Sequence, residues 1–416
     1  MTETENNVDK LFPVTDKVRQ DLATIKRGSD TLLIESELEQ KLARSYATGK
    51  PLRVKLGLDP TAPDIHIGHT VVLNKLRQMQ DMGHTVIFLV GDFTATIGDP
   101  SGRNVTRPPL THEQVMENAQ TYLAQAGLIL DKDKTEIRYN SEWCDKLTSR
   151  DMISLCSRYT LARLLERDDF AKRYAANAPI AMHELIYPLM QGYDSVALRS
   201  DLELGGSDQR FNLLVGRELQ RQYSQEPQCI LTMPLLVGLD GVVKMSKSKH
   251  NYIGITDSAS DMFGKVMSIS DSLMWDWYDL LSLRSNAEID DLKKQCESGR
   301  NPKDAKVMLA KEIVARFHSQ READEAEEEF ARRFKAGAVP DHIAEVSVAC
   351  DAEGIQVAKM LKEAQMVKSV ADGNRHIAQN AVRINGERIT DRNLKLKPGV
   401  YTVQVGKLRW ARVTLG

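Results

Sequence analysis

The chain has 416 residues, a formal net charge of −2, 42% hydrophobic and 27% charged side chains. That length exceeds one ordinary core and predicts two or three domains, while near-neutrality excludes a general attraction to nucleic acid, so any RNA-binding face must come from local charge asymmetry. Five scattered cysteines with no CxxC pair argue against a zinc ribbon or a thioredoxin motif, and the polar, acidic start and the lack of a ~20-residue apolar run predict a cytoplasmic chain without signal peptide or membrane span.

Residues 1–30 read as a polar arm, helical in part. A helix over 36–47 stops at Gly49-Lys50-Pro51. Leu52, Val54, Leu56 and Leu58 then alternate with polar or small residues, as in a strand with one apolar face. After Asp59-Pro60-Thr61 a helix starts near His66, carries Leu73, Leu76 and Met79 at helical spacing, and closes at Gly83. The almost unbroken apolar run 85–90 predicts a strand covered on both faces. Strand, loop, helix, strand is a βαβ unit of an open parallel sheet, with ligands expected at the carboxyl ends of its strands. The segment 59–61 and the stretch 91–102 fall there.

Residues 110–180 read as a mainly helical insertion. Leu202 and Leu204 alternate into Gly205-Gly206-Ser207-Asp208-Gln209 and another helix, and the apolar stretch 233–239 ends in an Asp240-Gly241 turn. A Rossmann-like domain is thus expected over 31–255, followed by charge-rich helices over 256–340. The acidic run 322–329 is most simply a solvated face. Residues 351–416 hold 12 lysines and arginines against 6 acidic residues. Two short helices (357–363 and 370–379) and strands around an Asn385-Gly386 turn make 350–416 a small α+β unit. On charge alone it is an RNA-binding module or a dimerisation or stability domain.

Two segments carry chemistry. In His66-Ile67-Gly68-His69, two histidines three apart at a helix start project to one side, where free N–H groups and the helix's positive end attract anions. Gly68 lets a ligand approach the backbone. A metal reading would need a third ligand, for which Asp64 is nearest, and the glutamate of HExxH is missing. Lys244-Met245-Ser246-Lys247-Ser248-Lys249 places three lysines after a tight turn, point charges suited to a triphosphate. Alone it would be an exposed basic loop. Roughly 175 residues beyond the histidines in one α/β domain, it completes an ATP site.

These two segments match the HIGH and KMSKS signatures letter for letter, and the chain resembles class I aminoacyl-tRNA synthetases. Gly57-Leu58-Asp59-Pro60-Thr61, Gly98-Asp99-Pro100-Ser101-Gly102, Tyr187 with Gln191 and Asp194, and Gly205-Gly206-Ser207-Asp208-Gln209 are together similar to bacterial tyrosyl-tRNA synthetases. The basic stretch 375–388 resembles their S4-like RNA-binding domain, so the likeness covers nearly everything after residue 30. It implies ATP-dependent activation of L-tyrosine and transfer of the tyrosyl group to tRNA(Tyr), by a homodimer with no membrane partner. Tyr187, Gln191 and Asp99 would hold the substrate ammonium, and Asp194 would accept the phenolic proton. Asp59, Thr61, Gly206, Asp208 and Gln209 would position ribose and the reacting carboxyl. His66, His69, Lys244 and Lys247 would neutralise the departing pyrophosphate, with Ser248 as a donor and Arg103 and Arg107 on a second basic loop. Lys368, Arg375, Arg383 and Arg388 would meet RNA. Mg²⁺ is expected to travel with ATP, with no protein-held metal or organic cofactor.

Tyr187, Gln191 and Asp194 fall at i, i+4 and i+7, one face of a helix that Pro188 is expected to open. One position departs from the family pattern. Lys55 stands where many of these enzymes place a tyrosine that contacts the substrate hydroxyl, which marks a changed hydroxyl pocket with an amine in reach of Asp194 or solvent. Rival readings are a tryptophan enzyme, a small-molecule nucleotidyltransferase and an RNA-binding protein with an inactive core. Asp194 and the S4-like tail oppose the first, chain length and the tail the second, and the intact phosphate residues the third.

Overall fold

A computed structural model describes residues 11–60, 65–100, 111–334, 343–351, 353–406 and 409–416. Thr61, Asp64, Arg103, Arg107 and the side chain of Ser248 lie outside the described parts. The chain divides into two units, 1–323 and 324–416.

The first unit is built on a six-stranded sheet: β1 (Thr31–Leu33), β2 (Arg53–Leu58), β3 (Thr85–Val90), β4 (Thr135–Tyr139), β5 (Leu202–Gly206) and β6 (Cys229–Met233). Its order is β1-β6-β5-β2-β3-β4, parallel except for the antiparallel edge strand β1. The central strands are buried, as their unbroken Val, Ile and Leu content requires of a sheet covered on both faces. The helix Ile67–Asp81 links β2 to β3, with Leu73, Leu76 and Met79 fully buried. After β4 the chain returns to lay β5 on the other side of β2, so strand order reverses between β2 and β5. Such a switch point opens a crevice at the strands' carboxyl ends.

Three sequence expectations in this unit need correction. Residues 110–180, expected to be mainly helical, also hold one strand that the sequence pattern does not reveal, since β4 pairs with β3 as the far edge of the sheet. Its exposed Ile137 lies between the half-buried charges of Glu136 and Arg138, so this edge strand has little apolar pattern to read. The sixth strand is Cys229–Met233 rather than the apolar stretch after it, which forms a loop bridged from Val237 to Lys244. Pro188 does not open its helix, which runs Met182–Leu198 with the proline inside. Glu184 sets the start instead, its carboxylate accepting the Ala181 N–H at 3.0 Å while paired with the buried Arg173 guanidinium.

Helices Ala259–Ser268, Asp271–Leu281, Asn286–Glu297 and Pro302–Phe317 come next, capped by Ser258, Ser270, Ser285 and Asn301. They enclose Phe263, Trp277, Tyr278 and Leu309, each fully buried. Among the described residues no helix is long and apolar enough to cross a membrane.

In the second unit, β7 (Ala344–Val348), β8 (Ile355–Gln356), β9 (Val382–Ile384), β10 (Glu387–Arg388), β11 (Lys395–Leu396), β12 (Gly399–Val405) and β13 (Arg409–Leu415) accompany helices Val357–Glu363 and Val370–Ala378. The main sheet has the order β10-β9-β12-β13-β7. Because β7 pairs with β13, this sheet begins before the boundary expected at residue 350. Asn385 and Gly386, with φ of 51° and 86°, make the tight turn between β9 and β10 that their sequence predicts.

Candidate active site

The crevice between β2 and β5 is a cleft of about 510 Å³, the size of a small-molecule site. One end is built from histidines. His66 is the N-cap of the helix Ile67–Asp81, and its Nδ1 accepts the Gly68 N–H at 3.1 Å. The His66 N–H in turn donates to His69 Nδ1 at 3.2 Å. With both Nδ1 atoms accepting, each ring proton must sit on Nε2. Burial, then the neighbouring His69, Lys247 and Lys244, pushes His66 down to about 2. Burial and Lys247 likewise hold His69 down, at about 4. Two neutral imidazoles with fixed N–H donors therefore stand at a helix N-terminus. Lys244 and Lys247 line the same end, and Lys244 Nζ meets Asp208 Oδ2 at 2.9 Å.

The other end is acidic. Asp59, at the carboxyl end of β2, accepts from Thr94 Oγ1 at 2.7 Å and from the Tyr187 hydroxyl at 2.9 Å. A Cβ at Gly91 would collide with Asp59 and Thr94, so only glycine fits there. Burial raises Asp59 to about 7, with Asp99 and Asp194 adding to the rise against the bonds from Thr94 and Tyr187. Because Tyr187 spends its proton on Asp59, its oxygen turns lone pairs to the cleft. Gln209 Nε2 donates to Asp99 Oδ2 at 2.9 Å and Gln191 Nε2 to Gln209 Oε1 at 3.5 Å, leaving Gln191 Oε1 buried without a partner. Tyr187, Gln191 and Asp99 thus line this part of the cleft with hydrogen-bond acceptors.

Deeper lies Asp194, 2% exposed. Its Oδ1 accepts Trp143 Nε1–H at 2.9 Å and its Oδ2 the Asn140 amide at 3.4 Å. Burial raises this carboxyl to about 7, opposed first by the charge of Lys55 and then by Trp143 and Asn140.

The structure brings Asp59, His66, Gly68, His69, Asp99, Tyr187, Gln191, Asp194, Gly206, Asp208, Gln209, Lys244 and Lys247 to this one cleft. Lys368, Arg375, Arg383 and Arg388 lie on the second unit, exposed except for half-buried Arg383, with Arg375 paired to Asp372.

Residues 47–335 match the family model of class I tRNA synthetases (W and Y), and residues 348–407 match the S4 domain. The chain belongs to the class I tRNA synthetases. This synthetase is 63% identical over 415 residues to a tyrosine–tRNA ligase of Cupriavidus pinatubonensis, covering 100% of both chains. It is 64% identical over 404 residues to one of Burkholderia thailandensis, covering 97% of each. Among solved structures it is similar to the tyrosyl-tRNA synthetase of Archaeoglobus fulgidus complexed with L-tyrosine, with a TM-score of 0.60, 25% identity, and coverage of 74% of this chain and 99% of that one. A truncated mitochondrial tyrosyl-tRNA synthetase of Coccidioides posadasii shares the fold, with a TM-score of 0.62, 22% identity, and coverage of 74% and 91%.

Several residues that shape the synthetase cleft are not evident from sequence. Asn140 and Trp143 come just after the unrecognised β4 and carry no signal of their own. Glu203 had one, a lone carboxylate between Leu202 and Leu204 in an otherwise apolar strand. Asn212 also belongs here, its amide donating to Gln209 Oε1 at 3.0 Å.

Proposed function

We propose that this synthetase activates L-tyrosine with ATP and transfers the tyrosyl group to tRNA(Tyr). The observation that carries this is the polarity of one cleft: acceptors for an ammonium group in the middle, a buried carboxylate at the floor, and neutral donors with lysines at the rim. A tyrosine zwitterion fits only with its ring toward Asp194 and its carboxylate toward the rim. There the carboxylate, already ionised at neutral pH, attacks the α-phosphorus of ATP in line, and the bond to pyrophosphate breaks. No general base is required. The rim orients the reactants and neutralises charge growing on the leaving group. His66 and His69 serve through Nε2–H, Lys244 and Lys247 through their ammonium groups, and Ser248, Arg103 and Arg107 are assigned there from the signature and its basic loop. Asp208 and Gly206 take the ribose, with Asp59 and Thr61 opposite, and Gln209 the reacting carboxyl. Mg²⁺ arrives bound to ATP. In the second step a terminal ribose hydroxyl of tRNA attacks the mixed anhydride and AMP leaves.

The division of labour assigns catalysis to 31–255, tRNA support to the helices of 256–340 and RNA binding to the C-terminal unit through Lys368, Arg375, Arg383 and Arg388. A homodimer is supported by Ile153, Leu161 and Tyr174 in the insertion and Met182 just after it, all large side chains left exposed. Five unpaired cysteines favour the cytoplasm. ATP–pyrophosphate exchange with each amino acid in turn is the test. Tyrosine alone should support it, and exchange with tryptophan, or with none, rejects the reading.

A further inference from the structure

Beneath the cleft lies a charged group that neither step of the reaction uses. Lys55 on β2 and Glu203 on β5 are register partners in the parallel sheet. Their side chains are 0% and 2% exposed, and Lys55 Nζ meets Glu203 Oε1 at 2.8 Å. Glu203 Oε2 accepts Ser195 Oγ at 3.0 Å and also the Gln228 amide. Lys55 Nζ donates to Ser195 Oγ at 2.8 Å. The ammonium has three donors, and among the described residues these two bonds use two of them.

The surroundings give the third donor a direction. Lys55 lines the cleft, as do Gly57 and Asp59 further along the same face of β2. Four residues of strand span about 13 Å, and the glycine between leaves that length of floor without a side chain. A Cβ added to Gly57 would touch only Leu89, at 3.7 Å. Asp194, next in sequence to Ser195, closes the deep end, and Lys55 is the largest influence holding its raised carboxyl down. A flat ring lying over Gly57 would bring its para substituent between Asp194 and Lys55. As mere ballast the ion pair makes little sense, since buried pairs are often replaced by apolar side chains at no loss of stability.

We propose that Lys55 is a specificity-determining residue that donates its third hydrogen bond to the substrate's phenolic oxygen while that hydroxyl donates its proton to Asp194. The hydroxyl is then read by lone pair and proton together: a more acidic phenol gives Asp194 a stronger bond, and the ammonium offsets the negative charge that this bond builds on the phenolic oxygen. This rests on tyrosine being the substrate. Exchange that fails with tyrosine in the unaltered enzyme would remove that reading itself, whereas the role of Lys55 is tested by the order in which the enzyme prefers substituted phenols.

The experiment is ATP–pyrophosphate exchange with tyrosine, 3-fluorotyrosine, 3,5-difluorotyrosine and 4-aminophenylalanine. In the unaltered enzyme KM should fall or hold along the fluorinated series and rise at least about tenfold for the amine, whose ring-conjugated nitrogen is a poor acceptor for the ammonium. A KM that climbs with phenol acidity overturns the proposal. Lys55→Gln alone strands Glu203, so Lys55→Gln/Glu203→Gln is the informative variant. It should melt near the unaltered protein, raise the tyrosine KM about 10- to 100-fold at similar kcat, and lose the preference for acidic phenols. If the double variant keeps the original KM and the original order of substrates, Lys55 serves only as the counter-ion of Glu203.

Discussion

Asp194 and Asp59 are two buried carboxyls each raised to about 7, and both act as acceptors in the assigned roles. A raised carboxyl is protonated below that value, so an acceptor is lost as pH falls. Tyrosine affinity should therefore weaken below about pH 7, by up to tenfold per unit, and level off above it. Calorimetric titration across that range checks this, and Asp194→Asn should bind weakly and without the slope. At the rim the expectation is kinetic. Lys247→Ala should slow adenylate formation about 100-fold with tyrosine affinity nearly unchanged, because it removes charge stabilisation of the transition state only. Single-turnover kinetics giving a normal rate but lost tyrosine binding would contradict it. Rim residues were legible in the sequence because both segments are contiguous. Asp194 was legible through the family resemblance, with which its helical spacing from Tyr187 and Gln191 agrees. Its partners were not, since Trp143 reaches it from 51 positions away in sequence.

Among the elements, the helix Ile67–Asp81 joins stability to chemistry. His66 caps it with Nδ1 and presents Nε2–H, so the two roles can be separated. His66→Ala should lose about 1 kcal/mol with the cap. His66→Asn should keep the cap, since asparagine is a good N-cap residue, yet slow activation as much as the alanine variant. Urea unfolding and pyrophosphate exchange measure the two effects, and parallel losses in both would show the histidine acting as a cap alone. The central strands and this helix were legible from hydrophobic period, whereas β4 was not. An edge strand with half-buried charged residues lacks the apolar run that marks β3, and missing it hid Asn140 and Trp143. Pro188 misled for another reason. Local propensity puts proline at a helix start, but the Glu184–Arg173 pair and the Glu184–Ala181 bond fix the first turn upstream.

For the whole molecule, a basic C-terminal unit with its own sheet and core predicts separable activities. Ending the chain before β7, by removing 343–416, should leave tyrosine activation intact and reduce tRNA charging at least tenfold. Equal loss of both would assign this unit a supporting role in the fold. Cutting at 350 instead would strand β7 without β13, a pairing that no local pattern could announce. The same long reach governs β2 and β5, which meet through Lys55 and Glu203 at the strand reversal. Losing one member of a buried ion pair costs about 3–5 kcal/mol, a large part of the roughly 5–15 kcal/mol that holds a protein folded. The two positions are therefore locked to one another in descent. A lineage moving between a lysine-floored and a phenol-floored pocket must change positions 55 and 203 together, because either change alone leaves a buried charge without its partner.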